Sequence, residues 1–209
     1  MNTILLSGYW PNLHYFYYVI NSNQIIIEQH DHYQKQSFRN RTQILTANGV
    51  LNLIIPVHHS SQKISMKDVI IEYKENWPMK HWRAITSAYK NSPYFEYFET
   101  EISEFYKNDE PNLLRYNLNQ LDLVLKLLRL KRNIGTSIKF DQSPLDFIDK
   151  RFDIHPKISF EKDLIASSTL YKQYYQTFSL KFGFKSNLSI LDLLFNEATQ
   201  ATNYLSLTP

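Results

Sequence analysis

The sequence predicts an α/β or α+β chain, with a mixed sheet in the N-terminal third and a predominantly helical C-terminal remainder packed on it. Three observations carry this. Apolar, β-branched runs at residues 3–6 and 24–27 read as buried strands. Ala47-Asn48-Gly49, set between residues 42–46 and 50–55, is a strong hairpin signal. From Trp77 onward the apolar spacing becomes helical. A chain of 209 residues with 43% hydrophobic content is long enough to bury one sizeable core. One domain over 1–209 is therefore expected, sheet-rich through residue 75 and helical from residue 76.

Taken in order, the first strand ends at Ser7-Gly8, and Pro11 suits the first position of a helix running to about Ile20. Such a helix start can offer free backbone N–H groups to an anion. His14 on this helix reads as packed rather than catalytic. The strand ending near Glu28 is followed by a polar stretch and then by the hairpin. Adjacent residues of a strand face opposite ways, so His58 and His59 are not expected to hold one metal. Residues 67–73 read as a further strand. Trp77, His81, Trp82, Ile85, Ala88 and Tyr89 share one helical face, with Pro78 near the start, and a second helix covers residues 94–108. The pattern over 111–130 is apolar almost all round its C-terminal half, so this helix is either buried or shared with a partner chain in a homo-oligomer. The basic residues at its end read as structural. Residues 133–137 read as a connector and 138–140 as a short strand. Residues 141–160, with Pro144, Pro156 and clustered charge, make a lid or linker. Gly183 is a helix stop, and Ser189 can cap a last helix with Asp192 closing an acidic capping box.

Composition excludes several classes. Without cysteine there is no thiolate nucleophile, Cys-ligated zinc or disulfide. The N-terminus lacks a basic region before a long apolar run, and no stretch of about 18 apolar residues occurs, so neither a signal peptide nor a spanning helix is expected. A soluble, cytoplasmic protein follows. A net charge of +3 does not call for a polyanionic partner, so nucleic acid is not an expected ligand. The 15 Tyr and 13 Phe exceed the needs of a small core and suit either its edges or the stacking of sugar rings.

The candidate site lies at residues 28–41, E-Q-H-D-H-Y-Q-K-Q-S-F-R-N-R, where Glu28, His30, Asp31, Lys35, Arg39, Asn40 and Arg41 follow a buried strand. Glu28 and His30, two apart on an extended chain, project to the same face and can pair. This stretch resembles the WbqC-like family in its pattern E-Q-H-x-x-Y-x-K-Q-x-x-R-N-R. The likeness extends to Leu53-Ile54-Ile55-Pro56-Val57, to Trp77-x-x-x-His81-Trp82-Arg83-x-Ile85-x-x-Ala88-Tyr89, to Ser92-Pro93-Tyr94-Phe95-Glu96-Tyr97, and to a closing signature from Gly183 through Asn187-Leu188-Ser189 to Asn196. Trp10-Pro11 before Tyr15-Phe16 is similar to the family's opening element. The resemblance implies a bacterial protein of O-antigen or related surface-polysaccharide assembly, with glycine transfer among the expected activities. The family signature closes on Asn-Glu-Gly; here Ala198 follows Glu197, so a turn needing glycine is expected to be altered.

Two functional readings follow. The first is a transferase that moves a small acyl or aminoacyl group, glycyl included, to a sugar precursor. His30 is then the base, Glu28 its partner and Lys35 an anion neutraliser. Arg39, Asn40 and Arg41 grip the substrate's anionic part, with Trp10, Tyr33, His81 and Trp82 as further contacts. The alternative is a non-catalytic module that binds a nucleotide sugar or glycan intermediate with the same residues. A sugar-nucleotide or other small-molecule substrate is the expected partner. The spacing E-x-H-D matches no standard metal motif, so no metal is assigned, and the cofactor is unknown from sequence.

Overall fold

The computed structural model describes residues 1–58 and 63–206. The chain runs β1 (Asn2–Leu6), α1 (Leu13–Asn21), β2 (Gln24–Glu28), β3 (Arg41–Thr46), β4 (Gly49–Ile54), α2 (Trp77–Tyr89), α3 (Phe95–Phe105) and α4 (Leu113–Leu127). It continues through β5 (Asn133–Thr136), β6 (Ile148–Asp149), α5 (Leu164–Leu170), α6 (Ser179–Phe182), α7 (Ile190–Glu197) and α8 (Ala201–Leu205). The architecture is α/β. A four-stranded sheet has the order β5-β2-β1-β6, with every pairing parallel, and β3 and β4 form a separate antiparallel hairpin.

The parallel strands are short because the chain leaves them quickly for helices. Leu5, Ile25 and Ile27 have no exposed surface, as expected for strands covered on both faces. Two of the four strands come from outside the N-terminal third. Residues 133–136, expected as a connector, pair with β2, whereas 138–140 is not a strand. Residues 148–149 pair with Thr3 and Ile4. Residues 67–73 likewise form no strand: a 3-10 turn at Met66–Asp68 leads into isolated bridges from Ile70 to Asn112 and from Ile71 to Val57. Among the described residues no strand extends either bridge into a ladder.

α1 begins two residues later than its proline suggested. Asn12 is the cap, its side chain accepting from the Tyr15 N–H, and Pro11 stands outside. The Leu13 and His14 N–H groups donate to the Leu188 carbonyl and the Asn187 side chain, and Phe16 N–H donates to the Asn12 carbonyl. The N–H groups of Leu13, His14 and Tyr15, which have no partner within the helix, are therefore all used, and none of the three is left for an anion. At the other end of α1, the Arg132 guanidinium donates to the carbonyls of Val19 and Ile20. Basic residues after α4 thus cap a different helix from the one they follow.

The closing signature is a clamp. Asn187 adopts the left-handed region (φ 56°) to aim its side chain at α1. Ser189 donates to the Trp10 carbonyl and caps α7 through the Leu191 N–H. Asp192 does not close a capping box: the Ser189 N–H goes to Gln43, and the Asp192 carboxylate instead accepts from Tyr89, Tyr174 and Gln176. Burial lifts this carboxyl to about 6, against the pull of those three donors. Gly183 does end α6, at φ 69°. Ala198 occupies φ 51°, where a Cβ is strained, so the altered residue of the turn retains a glycine-like backbone.

Most of the aromatic excess is in the core. Tyr9, Trp10, Trp77, Tyr106 and Tyr116 pack together, with ring centroids such as Trp77–Tyr116 at 5.6 Å.

Candidate functional site

A hollow of about 310 Å³ opens at the carboxyl end of the sheet, above β1 and β6. In parallel sheets this edge, where the strand order reverses direction, is the usual ligand crevice. β1 is that point here, since the chain goes from β1 to β2 on one side and later returns to β6 on the other. The floor is Leu6, Ser7 and Gly8; a Cβ at Gly8 would lie 3.0 Å from the Pro11 ring, so a side chain there would press on the turn. Arg39, Lys150, Arg151, His155 and Lys157 line the walls with Tyr15, Phe38 and Phe152, and no carboxylate lines it.

Behind one wall lies a sealed polar hub. Glu28 registers with Leu6, and Arg151, two residues past the Ile4–Asp149 pair, comes level with both, so the two side chains meet across the end of β1. Arg151 Nη1 is 3.3 Å from Glu28 Oε2, and neither side chain has exposed surface. The other Glu28 oxygen accepts from Ser137 Oγ at 2.7 Å and from the His30 N–H at 2.7 Å. Arg151 also pairs with Asp149 at 2.7 Å, and that hydrogen bond raises the guanidinium further above its ordinary value. Glu28 is thus close to His30, as the spacing required, but through the backbone N–H. The His30 ring donates from Nε2 to the Ser137 carbonyl at 3.2 Å. Asp31 forms a tight pair with the buried Arg39, which also donates to the His32 carbonyl. β2 and β3 are not neighbours, so the loop between those strands brings only Asp31 to Arg39; Glu28 pairs with Arg151 instead, and among the described residues Arg41 has no carboxylate within ion-pair distance.

Behind the other wall is a second hub. Residues 150 and 151 leave an extended strand and so point to opposite faces. Lys150 turns towards α1, where its Nζ sits 3.0 Å from Asp163 and 2.9 Å from Asp153. The same Asp163 oxygen accepts from Tyr18 at 2.6 Å and from His14 Nε2 at 2.8 Å. Burial alone would raise the Asp163 carboxyl; the hydrogen bonds from Tyr18, His14 and Lys150 outweigh it and hold the group well below the usual carboxylate range. Burial lowers the His14 imidazole, so it is neutral at neutral pH, with Nε2 as the donor to Asp163. His14, Lys150 and Asp163 line a smaller recess of about 270 Å³ that shares Lys150 and Ile158 with the main hollow.

The remaining residues singled out from sequence fall elsewhere. Lys35 and His32 are exposed, and Lys35 does not line the hollow. Trp10 is fully buried, its indole N–H donating to Tyr106 at 2.8 Å. Asn40 is buried and donates to the Ile55 carbonyl. Tyr33 is half-buried, near enough to Arg41 and Arg39 for both to act on its phenol. His81 is buried beside Tyr9, with Nδ1 2.8 Å from the Tyr9 hydroxyl, and burial lowers it to about 4. Trp82 stacks on Phe95 and lines a separate groove with Tyr73, Met79 and Tyr106. His58 lies 3.4 Å from Glu72, while His59 is outside the described residues.

Sequence reasoning missed His14, Lys150, Arg151, His155, Lys157 and Asp163. The only local signal was Ile148-Asp149-Lys150-Arg151, an apolar residue leading into paired charges. Two ladder residues are too few to register as a strand. Among the described residues no group of three or more His, Asp and Glu could hold a metal ion, and no helix is long and apolar enough to cross a membrane.

Comparison with known proteins adds kinship rather than activity. The chain is 25% identical to the uncharacterized protein Rv1507c of Mycobacterium tuberculosis over 97% of its own length and 96% of that protein. No solved structure matches. Residues 7–161, which hold both polar hubs apart from Asp163 and all of the hollow's lining apart from Leu5 and Leu6, match the WbqC-like protein family, and the closing clamp lies beyond them. The chain belongs to the WbqC-like family.

Proposed function

We propose that this protein is a transferase that moves a small acyl or aminoacyl group, glycyl included, to an amino sugar destined for O-antigen or a related surface polysaccharide. The observation that supports this reading is a neutral imidazole paired with a carboxylate, His14–Asp163, in a recess sharing Lys150 with an open hollow at the carboxyl edge of a parallel sheet. Transfer requires a base to take the proton from the incoming amine and donors to hold the carbonyl oxygen as it becomes anionic. In this reading His14, oriented by Asp163, takes the amine proton at Nδ1 and passes it to the leaving oxygen of the donor ester as the bond from that oxygen to the acyl carbon breaks. Lys150 supplies positive charge to the oxyanion. His30 and Glu28, first choices from the sequence, are better suited to shaping the wall, because Glu28 is already committed to Arg151 and Ser137. The polysaccharide context rests on family resemblance.

The second reading, non-catalytic binding of a nucleotide sugar or glycan intermediate, is favoured by one fact: a single Asp163 oxygen already accepts from Tyr18, His14 and Lys150. Mass spectrometry of nucleotide-linked amino sugars incubated with activated glycyl and acetyl esters separates the two. The transferase reading expects an acylated sugar with wild type and its loss in His14→Gln, with acceptor affinity retained. Acceptor binding without product from any donor overturns it in favour of the binder.

A further inference from the structure

We infer that the hollow is a phosphate site, holding the phosphate or diphosphate of the substrate's carrier against Lys157, His155 and Arg39, with Arg41 adding charge from beside it. The inference rests on the reading above only in taking the hollow as the substrate's place.

Five basic side chains line the cavity without one carboxylate, yet they are not equivalent. Arg151 and Lys150 are engaged by acids behind the walls, and Arg39 by Asp31. Lys157 and Arg41 have no carboxylate within ion-pair distance among the described residues. The field at this end is accordingly positive: after burial, the groups that depress His155 are Lys157, Arg39 and Arg41, all cations. Arg39 is 1% exposed and lines the hollow, its two terminal nitrogens donating to Asp31 and the His32 carbonyl, and its buried Nε–H has no protein partner. The Lys157 N–H donates to His155 Nδ1 at 3.2 Å, so the neutral ring carries its proton on Nε2 and is a donor as well. An unpaired lysine and an imidazole donor lining one hollow beside further cations suit a multiply charged oxyanion, which accepts from several at once. The apolar remainder of the lining, Phe38, Phe152, Ile154 and Ile158, suits an uncharged appendage of such a ligand.

The test is calorimetric titration of the intact protein with inorganic pyrophosphate, without any acyl donor. Saturable binding is expected, weakened about tenfold by Lys157→Gln, as for loss of one charge-assisted contact, and unchanged by Lys35→Gln. Both lysines are exposed, so neither variant threatens folding. His155→Asn gives a second, independent loss. Absence of pyrophosphate binding at millimolar concentration, or equal weakening by the two lysine variants, overturns the inference. Two further titrations, with uridine diphosphate and with farnesyl diphosphate in detergent micelles, separate a nucleotide from a lipid carrier; tighter binding of either upholds a carrier phosphate. If pyrophosphate binds and no acylated product is ever formed, the phosphate site stands and the transferase reading falls. Product formed equally well on unphosphorylated amino sugar does the reverse.

Discussion

Residues 28–41 and residues 149–163 carry a similar mixture of acids, bases and histidine, but the fold uses them differently. In the first stretch both carboxylates are committed to buried partners: Glu28 to Arg151 of the second stretch and to Ser137, Asp31 to Arg39. The second stretch begins on a two-residue edge strand, which throws Lys150 and Arg151 to opposite faces, and then supplies His155 and Lys157 to an open hollow. Charge density alone does not distinguish them. What distinguishes them is whether each charge finds its partner within reach of a sheet edge or is left facing solvent.

That contrast can be broken most sharply at Glu28. Glu28→Ala strands Arg151 with only Asp149 and leaves Ser137 and the His30 N–H without an acceptor. A loss of about 4 kcal/mol in urea unfolding is expected, in the range for breaking a buried ion pair. A loss below about 1 kcal/mol would mean the hub is not holding the two stretches together.

Asp192, remote from both, calibrates the reading of buried acids. Its folded value of about 6 lies above that of the unfolded chain, so its contribution is most favourable below about pH 4 and is lost as pH rises through about 6. The arithmetic, two units at about 1.4 kcal/mol each, gives roughly 3 kcal/mol. Asp192→Asn should remove that decline, so the two stability–pH curves must converge or diverge between pH 4 and 6; parallel curves would refute the burial argument.

Asp163 has the opposite sign. Its depressed carboxyl contributes stability above the usual carboxylate value near 3.9 and loses it as pH falls below that. Asp163→Asn should cost about 2 kcal/mol at neutral pH and progressively less in acid, the size expected for a charge-assisted hydrogen bond. A cost independent of pH would make the hub merely steric.

Smaller effects close the series. Ala198→Gly relieves a left-handed alanine and should raise stability by about 1 kcal/mol, read as a higher melting midpoint. Lys35→Ala should change stability by less than about 0.5 kcal/mol and leave turnover intact, because the side chain is exposed and outside the hollow.

Much of the architecture is legible along the chain. The Ala47-Asn48-Gly49 turn, the helical face from Trp77 to Tyr89 and the stop at Gly183 are local signals, written in φ preference and spacing, and each appears where the residues put it. The edge strands at 133–136 and 148–149 are not legible, because strands of four and two residues have no periodicity to detect and exist only because β2 and β1 offer free edges. The candidate site divides the same way. Proximity of Glu28 to His30 follows from a two-residue spacing. The partners of Glu28 lie 109 and 123 positions away, and the ring partner of His14, Asp163, lies 149 positions away, just past the segment expected as a lid or linker.

By itself, then, the sequence determined the α/β class, the hairpin, the main helices and the kinship, since these depend on short-range sterics and on motifs read in order. Only the tertiary structure decided which charges neutralise one another and which remain to face a ligand. Ion pairing is a matter of distance in space, and a chain that returns to its first strand after more than a hundred residues can place any acid beside any base.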